Sequence, residues 1–118
     1  MRLLVCGDRN WTDKNKIRQE VIELCSIAHI SVIIEGGARG ADRLAGEVAD
    51  ELDISLLVFP AKWTEFGKSA GPRRNQQMLD EGQPDQVLAF HNNIQESKGT
   101  KHMIDIAQRS NISVKLIQ

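Results

Sequence analysis

Residues 35–44, Glu-Gly-Gly-Ala-Arg-Gly-Ala-Asp-Arg-Leu, place three glycines and an arginine between an apolar run and a helical pattern. Glycine lets the backbone turn sharply and lets a ligand approach main-chain N–H groups. Free N–H groups and the dipole at a helix start favour an anion, usually a phosphate. We therefore predict phosphate binding at Gly36, Gly37 and Gly40, with Arg39 as the cationic partner. The alternative is a strand–helix turn without a ligand.

A second polar loop follows the first apolar run directly. Gly7 permits close backbone approach, and Asp8 and Arg9 can hydrogen-bond a sugar and a phosphate, respectively. Capping of the first helix by Asp8 is an equally supported alternative. Glu35 ends the second apolar run, where a carboxylate could bind a ribose hydroxyl or act as an acid or base. Glu35 and Asp8 are thus the two candidate catalytic residues.

The third polar loop, residues 60–71, is longer than a simple connection requires. Its aromatic residues, Trp63 and Phe66, either close a small satellite core or face a ligand. Gly71 and the residues just after it begin a helix carrying several cations, which favours an anion site. Of these residues we select Gly71, Arg74 and Asn75 as ligand-binding.

A fourth glycine-bearing turn, Ser97-Lys98-Gly99-Thr100, also precedes a helix. Ser97, Gly99 and Thr100 offer N–H groups and two hydroxyls to a phosphate. The same residues would equally serve as an N-cap without a ligand. Two glycine-bearing helix starts on one sheet edge make the phosphate interpretation more specific than either turn alone. In the second helix, by contrast, we expect Asp42 to be a helix cap.

The elements that must position these loops alternate strictly between strand and helix. The first helical pattern places Ile17, Val21, Cys25 and Ala28 inward, and three more follow at about residues 41–52, 71–82 and 100–109. Alternation with nearly continuous apolar strands predicts a parallel sheet covered on both faces. The five apolar runs are Leu3–Cys6, Val32–Ile34, Leu56–Phe59, Val87–Phe90 and Val114–Ile117, the last an edge strand.

The glycine-bearing connections all follow strands, whereas the helix-to-strand connections are short. In an open parallel sheet the carboxyl ends of the strands share one edge, where such folds bind ligands. We therefore expect the four polar loops to meet there. One domain spanning residues 1–118 accommodates all of this, since the chain is too short for two.

Composition narrows the function classes. The formal net charge of −1 and the pI near 6.3 give no general attraction to nucleic acid or to an anionic membrane. The apolar runs are too short for a membrane span or a secretory signal. Cys6 and Cys25 are both predicted to be buried thiols, which suits a reducing cytoplasm. The scattered histidines predict no metal site.

Together, these motifs resemble the YspA/YpsA-related branch of the SLOG superfamily. The resemblance rests on Gly7-Asp8-Arg9-x-Trp11, the 36–42 turn, Gly71-Pro72-x-Arg74-Asn75-x-x-Met78 and Ser97-x-Gly99-Thr100, in order along almost the whole chain. It implies a three-layer Rossmann-like α/β sandwich with strand order 3-2-1-4-5 and a site for nucleotides or nucleotide-derived molecules. Small standalone members of this branch occur in bacteria and phages.

The superfamily also contains LOG-type phosphoribohydrolases and DprA/Smf DNA-processing proteins. LOG-type enzymes carry Gly-Gly-x-Gly-Thr-x-x-Glu, and here Met103 stands where that glutamate would be. A hydrolase would therefore need Glu35, Asp8 or Glu65 to supply the carboxylate. We expect binding of a nucleotide or an ADP-ribose-like molecule without turnover and without a cofactor.

Two alternatives stand beside simple binding. One is an N-glycosidic hydrolase acting on nucleoside monophosphates. The other is single-stranded nucleic-acid binding through Lys62, Trp63, Lys68 and Arg73, the least favoured of the three because of the net charge. The oligomeric state stays open, a homo-oligomer included.

Overall fold

The protein folds around one five-stranded parallel sheet; the structure is a computed structural model and describes residues 1–118. Every pair of neighbouring strands is parallel, and the strand order is β3-β2-β1-β4-β5. The predicted fold class and strand order are therefore confirmed, with β5 at an edge as expected. The strands are β1 (Arg2–Gly7), β2 (Val32–Glu35), β3 (Ser55–Val58), β4 (Gln86–Phe90) and β5 (Ser113–Ile117).

Helices connect successive strands, as parallel pairing requires. None of them reaches the length of a transmembrane span, because the longest has 13 residues. Short 3₁₀ turns cover Gly67–Ser69 and Ile94–Glu96. The helices are α1 (Lys14–Cys25), α2 (Ala41–Glu51), α3 (Trp63–Phe66), α4 (Ala70–Gly82) and α5 (Gly99–Arg109).

Two apolar cores lie on opposite faces of the sheet, which makes three layers. Side chains alternate along a strand, so Leu3 and Val5 of β1 face one core and Leu4 and Cys6 the other. Helices α1 and α2 cover the first core, through residues such as Ile17, Val21, Ala45 and Val48. Helices α4 and α5 cover the second, through residues such as Met78, Leu79, Met103 and Ala107.

The prediction that both cysteines are buried is correct for Cys6 and wrong for Cys25. Cys25 is the last residue of α1 and is exposed. At 3.6 residues per turn, the inward stripe that passes through Ile17 and Val21 next falls close to position 24. Leu24 accordingly packs against the core, and α1 ends before Ala28 can join it. Burial raises the pKa of the Cys6 thiol, which keeps that thiol neutral.

The long third connection contains more regular structure than a loop. It holds the one-turn helix α3 and the 3₁₀ turn at Gly67–Ser69, and α4 begins at Ala70, one residue before the predicted start. Pro72 lies in the first turn of α4, where its missing N–H costs no hydrogen bond. This segment reaches back over the sheet edge that the other strand-to-helix connections share.

Strand register brings those connections level with one another. Gly7 of β1 pairs with Phe90 of β4, and Glu35 of β2 pairs with Val58 of β3. Each of these residues ends its strand or stands next to its end. All four strand-to-helix connections therefore leave the sheet at its carboxyl edge.

Candidate functional site

A cavity of about 510 Å³ lies at the carboxyl edge of the sheet and is lined by all four strand-to-helix connections. Its volume falls within the range of small-molecule sites, roughly 300–1,000 Å³. Most of the predicted ligand-binding residues line it. They are Gly7, Asp8, Arg9, Arg39, Gly71, Arg74, Asn75, Ser97, Gly99 and Thr100.

Four predicted site residues do not line the cavity: Glu35, Gly36, Gly37 and Gly40. Most N–H groups of this turn are already hydrogen-bonded within the protein. The N–H groups of Gly36 and Ala38 donate to Oδ2 of Asp42 at 3.2 and 3.3 Å. The N–H of Gly37 donates to Oε1 of Glu35 at 2.5 Å. These three donors are therefore not free for a phosphate in this arrangement.

The donors that remain lie slightly further along the chain, at the start of α2. The N–H groups of Arg39, Gly40 and Asp42 donate to no protein acceptor. Such donors at a helix start, together with the helix dipole, favour an anion. Arg39 and Asp42 also line the cavity. The N–H groups available to an anion are therefore those of Arg39 and Asp42, at the start of α2, and not those of Gly36 and Gly37.

Asp42 has a different role from the predicted helix cap. Gly40 occupies the N-cap position of α2, and no side chain caps the helix there. The Asp42 carboxylate instead folds back onto the turn, as the two hydrogen bonds above show. It is only 6% exposed, and burial raises its pKa to about 6, with the Arg74 guanidinium acting in the opposite direction. The N–H groups of a tight turn need a nearby acceptor, and Asp42 is the first carboxylate after the glycines of this turn. The sequence could have indicated its role in this way.

Glu35 lies beside the cavity, against α2. Its side chain is buried, and an added Cβ on Gly46 would lie only 3.2 Å from Oε2. Burial and the negative charge of Asp42 raise the pKa of Glu35 to about 7, whereas the hydrogen bond from Gly37 and the charge of Arg74 lower it. The absence of a side chain at Gly46 makes room for this carboxyl group.

Arg74 and Asn75 connect the two glycine-bearing turns. Arg74 Nη1 donates to the carbonyl oxygen of Gly36 at 2.5 Å, and its Nε donates to Oδ1 of Asn75 at 3.1 Å. Asn75 Nδ2 then donates to the carbonyl oxygen of Gly99 at 3.2 Å and lies 3.1 Å from Nδ1 of His102. Through these bonds, α4 fixes the spacing between the turn after β2 and the start of α5.

The turn before α5 forms one hydrogen bond within itself. Ser97 Oγ accepts a hydrogen bond from the N–H of Thr100 at 3.0 Å, although the N-cap position itself is Lys98, which makes no side-chain capping bond. Thr100 is buried, whereas Gly99 is exposed. All three nevertheless line the cavity, so a ligand would meet the N-terminal end of α5.

An aspartate–histidine pair also lines the cavity. His91 Nε2 lies 3.9 Å from Oδ2 of Asp8, while Oδ1 of Asp8 accepts from the N–H of Asn10 at 2.9 Å. His91 Nδ1 accepts from the N–H of Asn93 at 3.0 Å, so the neutral ring carries its proton on Nε2, facing Asp8. Sequence reasoning missed His91. It follows β4 as Asp8 follows β1, and paired parallel strands bring such residues together.

The third connection divides its side chains between two places. Trp63 and Lys68 line the cavity, whereas Lys62, Phe66 and Arg73 line a separate hollow of about 220 Å³. The predicted alternative carboxylate Glu65 lines neither. Arg74 lines both hollows, so the cations and aromatic rings of this segment are divided between two sites that share Arg74.

Trp11 is a packing residue. It is 8% exposed, its ring meets Phe90 edge-on at a centroid distance of 5.5 Å, and its Nε1 donates to the carbonyl oxygen of Asp13.

Charge in the cavity is predominantly positive. Five cationic side chains line it, against the two carboxylates of Asp8 and Asp42. The cations are Arg9, Arg39, Lys68, Arg74 and Lys98. A concave site with this balance attracts anions although the whole chain has a net charge of −1.

Comparison with known proteins agrees with this architecture. The family model of the YspA, cpYpsA-related SLOG family matches residues 1–66, from β1 through α3. The Gene 61 protein of Mycobacterium phage D29 is 34% identical over 119 residues, which cover 96% of this chain and 93% of that protein. No solved structure matches the chain. The chain belongs to the YspA, cpYpsA-related SLOG family.

Proposed function

We propose that this protein binds a nucleotide or a nucleotide-derived molecule, such as one containing ADP-ribose, and holds it without cleaving it. The observation that carries the proposal is the cavity itself. It combines five cationic side chains with the start of α5 and the free N–H groups at the start of α2. That combination of charge and fixed N–H donors is suited to phosphate.

The phosphate position with most support lies between the starts of α2 and α5. Arg74 approaches this region from α4, and its Nη2 donates no hydrogen bond within the protein. Arg39 and Asp42, whose N–H groups donate to no protein acceptor, line the cavity from the turn after β2 and the start of α2. Asp8 lines the same cavity and supplies a carboxylate suited to sugar hydroxyls.

Binding without cleavage is supported by the lack of a carboxyl group near the start of α5, at the position where LOG-type enzymes have a glutamate. Cleavage of a glycosidic bond has an oxocarbenium-like transition state and usually uses a pair of placed carboxyl groups. Met103, which stands at the position of the LOG-type glutamate, borders the cavity there with a buried apolar side chain. Sensing or sequestering a nucleotide requires affinity alone, which a positively charged cavity can supply.

Calorimetry against matched pairs of ligands tests this proposal. We expect heat from AMP and ADP-ribose and little from adenosine, because the phosphates supply the charge-assisted hydrogen bonds. Chromatography after prolonged incubation should return AMP, ADP-ribose and NAD intact. No heat from any phosphate-bearing ligand at high concentration would contradict binding, and turnover above about 1 per second would contradict the absence of cleavage.

One observation favours N-glycosidic hydrolysis as the second candidate. Asp42 is a buried carboxyl group in the wall of the cavity, and its pKa is raised to about 6, close to the range that acid–base catalysts use. Release of free base and ribose phosphate from a nucleoside monophosphate, abolished in Asp42→Asn or Glu35→Gln, would make this the primary function. Retention of release in both variants would exclude these carboxyl groups as its catalysts.

A further inference from the structure

Two aromatic rings on the segment between β3 and α4, Trp63 and Phe66, each pair with an arginine from outside that segment. The guanidinium carbon of Arg9 lies 5.5 Å from the centroid of the Trp63 ring, and that of Arg73 lies 4.4 Å from the centroid of the Phe66 ring. Both rings are substantially exposed, Trp63 at 48% and Phe66 at 36%. The exposed part of each ring is a flat apolar surface on which another ring can stack.

Only the Trp63 pair belongs to the cavity. Trp63 and Arg9 both line it, whereas Phe66 and Arg73 line the separate hollow. The two pairs are therefore similar in chemistry and different in position. That difference supplies an internal comparison within one short segment of the chain.

Trp63 packs closely against the start of α4, where Gly71 has no side chain. An added Cβ at Gly71 would lie 3.3 Å from the outer edge of the indole ring. The indole Nε1 of Trp63 makes no hydrogen bond within the protein, unlike that of Trp11. Trp63 thus presents aromatic surface at the mouth of a cavity whose deeper wall contains the buried Asp42 and Thr100.

We propose that Trp63 is the platform on which the base of the ligand stacks, on the face of its ring that the Arg9 guanidinium does not cover. This inference rests on the proposed function and narrows it, because it makes the ligand one that carries a nucleobase as well as a phosphate. Base–aromatic stacking tolerates any base, since every base has a π-face. Trp63 therefore selects nucleotides over sugar phosphates and inorganic phosphate without selecting one base.

Calorimetric titration with AMP, ribose 5-phosphate and inorganic phosphate tests the stacking role. Trp63→Ala should weaken AMP binding on the order of tenfold, as loss of one stacked base does, and leave ribose 5-phosphate binding unchanged. Trp63→Phe should retain most of the AMP affinity. Phe66→Ala, the matched control, should change neither ligand.

Tryptophan fluorescence gives a second readout that does not depend on affinity. The chain has two tryptophans, and Trp11 is buried against Phe90. AMP should therefore quench the emission of the wild-type protein and leave that of Trp63→Phe nearly unchanged at saturation. Quenching that persists in Trp63→Phe would overturn the assignment.

The failures of the two proposals are distinguishable. Equal loss of AMP and ribose 5-phosphate affinity in Trp63→Ala, or no loss of either, would overturn the stacking role while leaving phosphate binding in place. Absence of binding by every probe to the wild-type protein would overturn the proposed function and this inference with it.

Discussion

Arg74 contacts both the protein and the region proposed for the phosphate. One of its nitrogens donates to the carbonyl oxygen of Gly36, and another donates to Asn75, which in turn holds Gly99. A guanidinium group has enough donors to make these bonds and still bind an anion. Its neighbour Arg73 faces Phe66 and Ser69 instead, outside the cavity.

Arg74→Ala should weaken binding of AMP or ADP-ribose by about 1.5–3 kcal/mol, the cost of losing a hydrogen bond to a charged group. Arg74→Lys keeps the charge but cannot bridge the two turns, so it should recover only part of the affinity. Arg73→Ala is the matched control and should leave calorimetric affinity unchanged. Equal effects of the Arg73 and Arg74 substitutions would argue against the assigned phosphate position.

Glu35 gives the protein a pH-dependent stability. Its pKa in the fold is about 7, above the ordinary value of 4.5, so the fold favours the neutral carboxyl group. Its favourable contribution is fully present below about pH 4.5 and is lost as the pH rises through about 7. Each unit by which the pKa is raised corresponds to about 1.4 kcal/mol.

Glu35→Gln should therefore be more stable than the wild-type protein above pH 7, and its stability should vary less between pH 4.5 and 7. Urea denaturation at several pH values measures this. Glu65→Gln, which alters an exposed carboxyl group on α3, is the control and should keep the wild-type profile. The same pH profile for Glu35→Gln and wild-type protein would contradict burial as the cause of the raised pKa.

At the scale of elements, the strands and long helices could be predicted because their signals are periodic and local. β1 alternates its side chains between two cores, and α4 begins within one residue of the predicted Gly71-Pro72 start. The details of the turns could not be predicted in this way. The pairing of Asp42 with the N–H groups of Gly36 and Ala38 depends on a carboxylate folding back across the turn.

The Asp8–His91 pair illustrates a second limit. Its two residues are far apart in the chain and come together only through the β1–β4 register. Sequence reasoning located the sheet edge correctly and selected Asp8, but it had no local signal for His91. The prediction that Cys25 is buried was wrong for a different reason. A spacing of four residues drifts away from the buried face of a helix with 3.6 residues per turn, and by Cys25 the side chain is exposed.

Two glycines from the predicted phosphate turns should respond differently to alanine. Gly40 has a φ of +78°, and an added Cβ there would overlap the backbone of Asp8 and Arg9. Gly40→Ala should therefore destabilise the fold by at least about 1–3 kcal/mol. Gly99 begins α5, and an added Cβ would meet nothing within 4 Å.

Gly99→Ala should accordingly be neutral or stabilise the fold by up to about 1 kcal/mol, because alanine loses less backbone entropy in a helix. Urea denaturation of the two variants side by side provides the comparison. Equal destabilisation by both substitutions would show that close packing of the turn after β2 against the loop after β1 is not what requires Gly40.

At the scale of the whole molecule, charge is distributed unevenly. The chain has 15 lysines and arginines against 16 acidic residues, yet the cavity is rich in cations. Several surface cations are paired, as Lys14 and Arg18 are with Glu51. The positive charge is therefore concentrated in a concave site with the dimensions of a small molecule.

This distribution predicts weak binding to single-stranded nucleic acid. Lys62 and Arg73 line a second hollow that shares Arg74 with the cavity, so the basic and aromatic residues are divided between two sites. Fluorescence anisotropy with a labelled oligonucleotide at about 150 mM salt should show no saturable binding. Binding of AMP, measured in a separate titration, is the positive control. Submicromolar binding that falls steeply with salt would favour the nucleic-acid alternative.

The central claim is that the cavity at the carboxyl edge holds a nucleotide-derived phosphate ligand intact. A crystal structure of the protein grown with ADP-ribose tests it most directly. The account predicts a phosphate between the starts of α2 and α5, in contact with Arg74, and an unbroken glycosidic bond. Ligand located outside the cavity, or base and ribose phosphate found as separate molecules within it, would contradict the account.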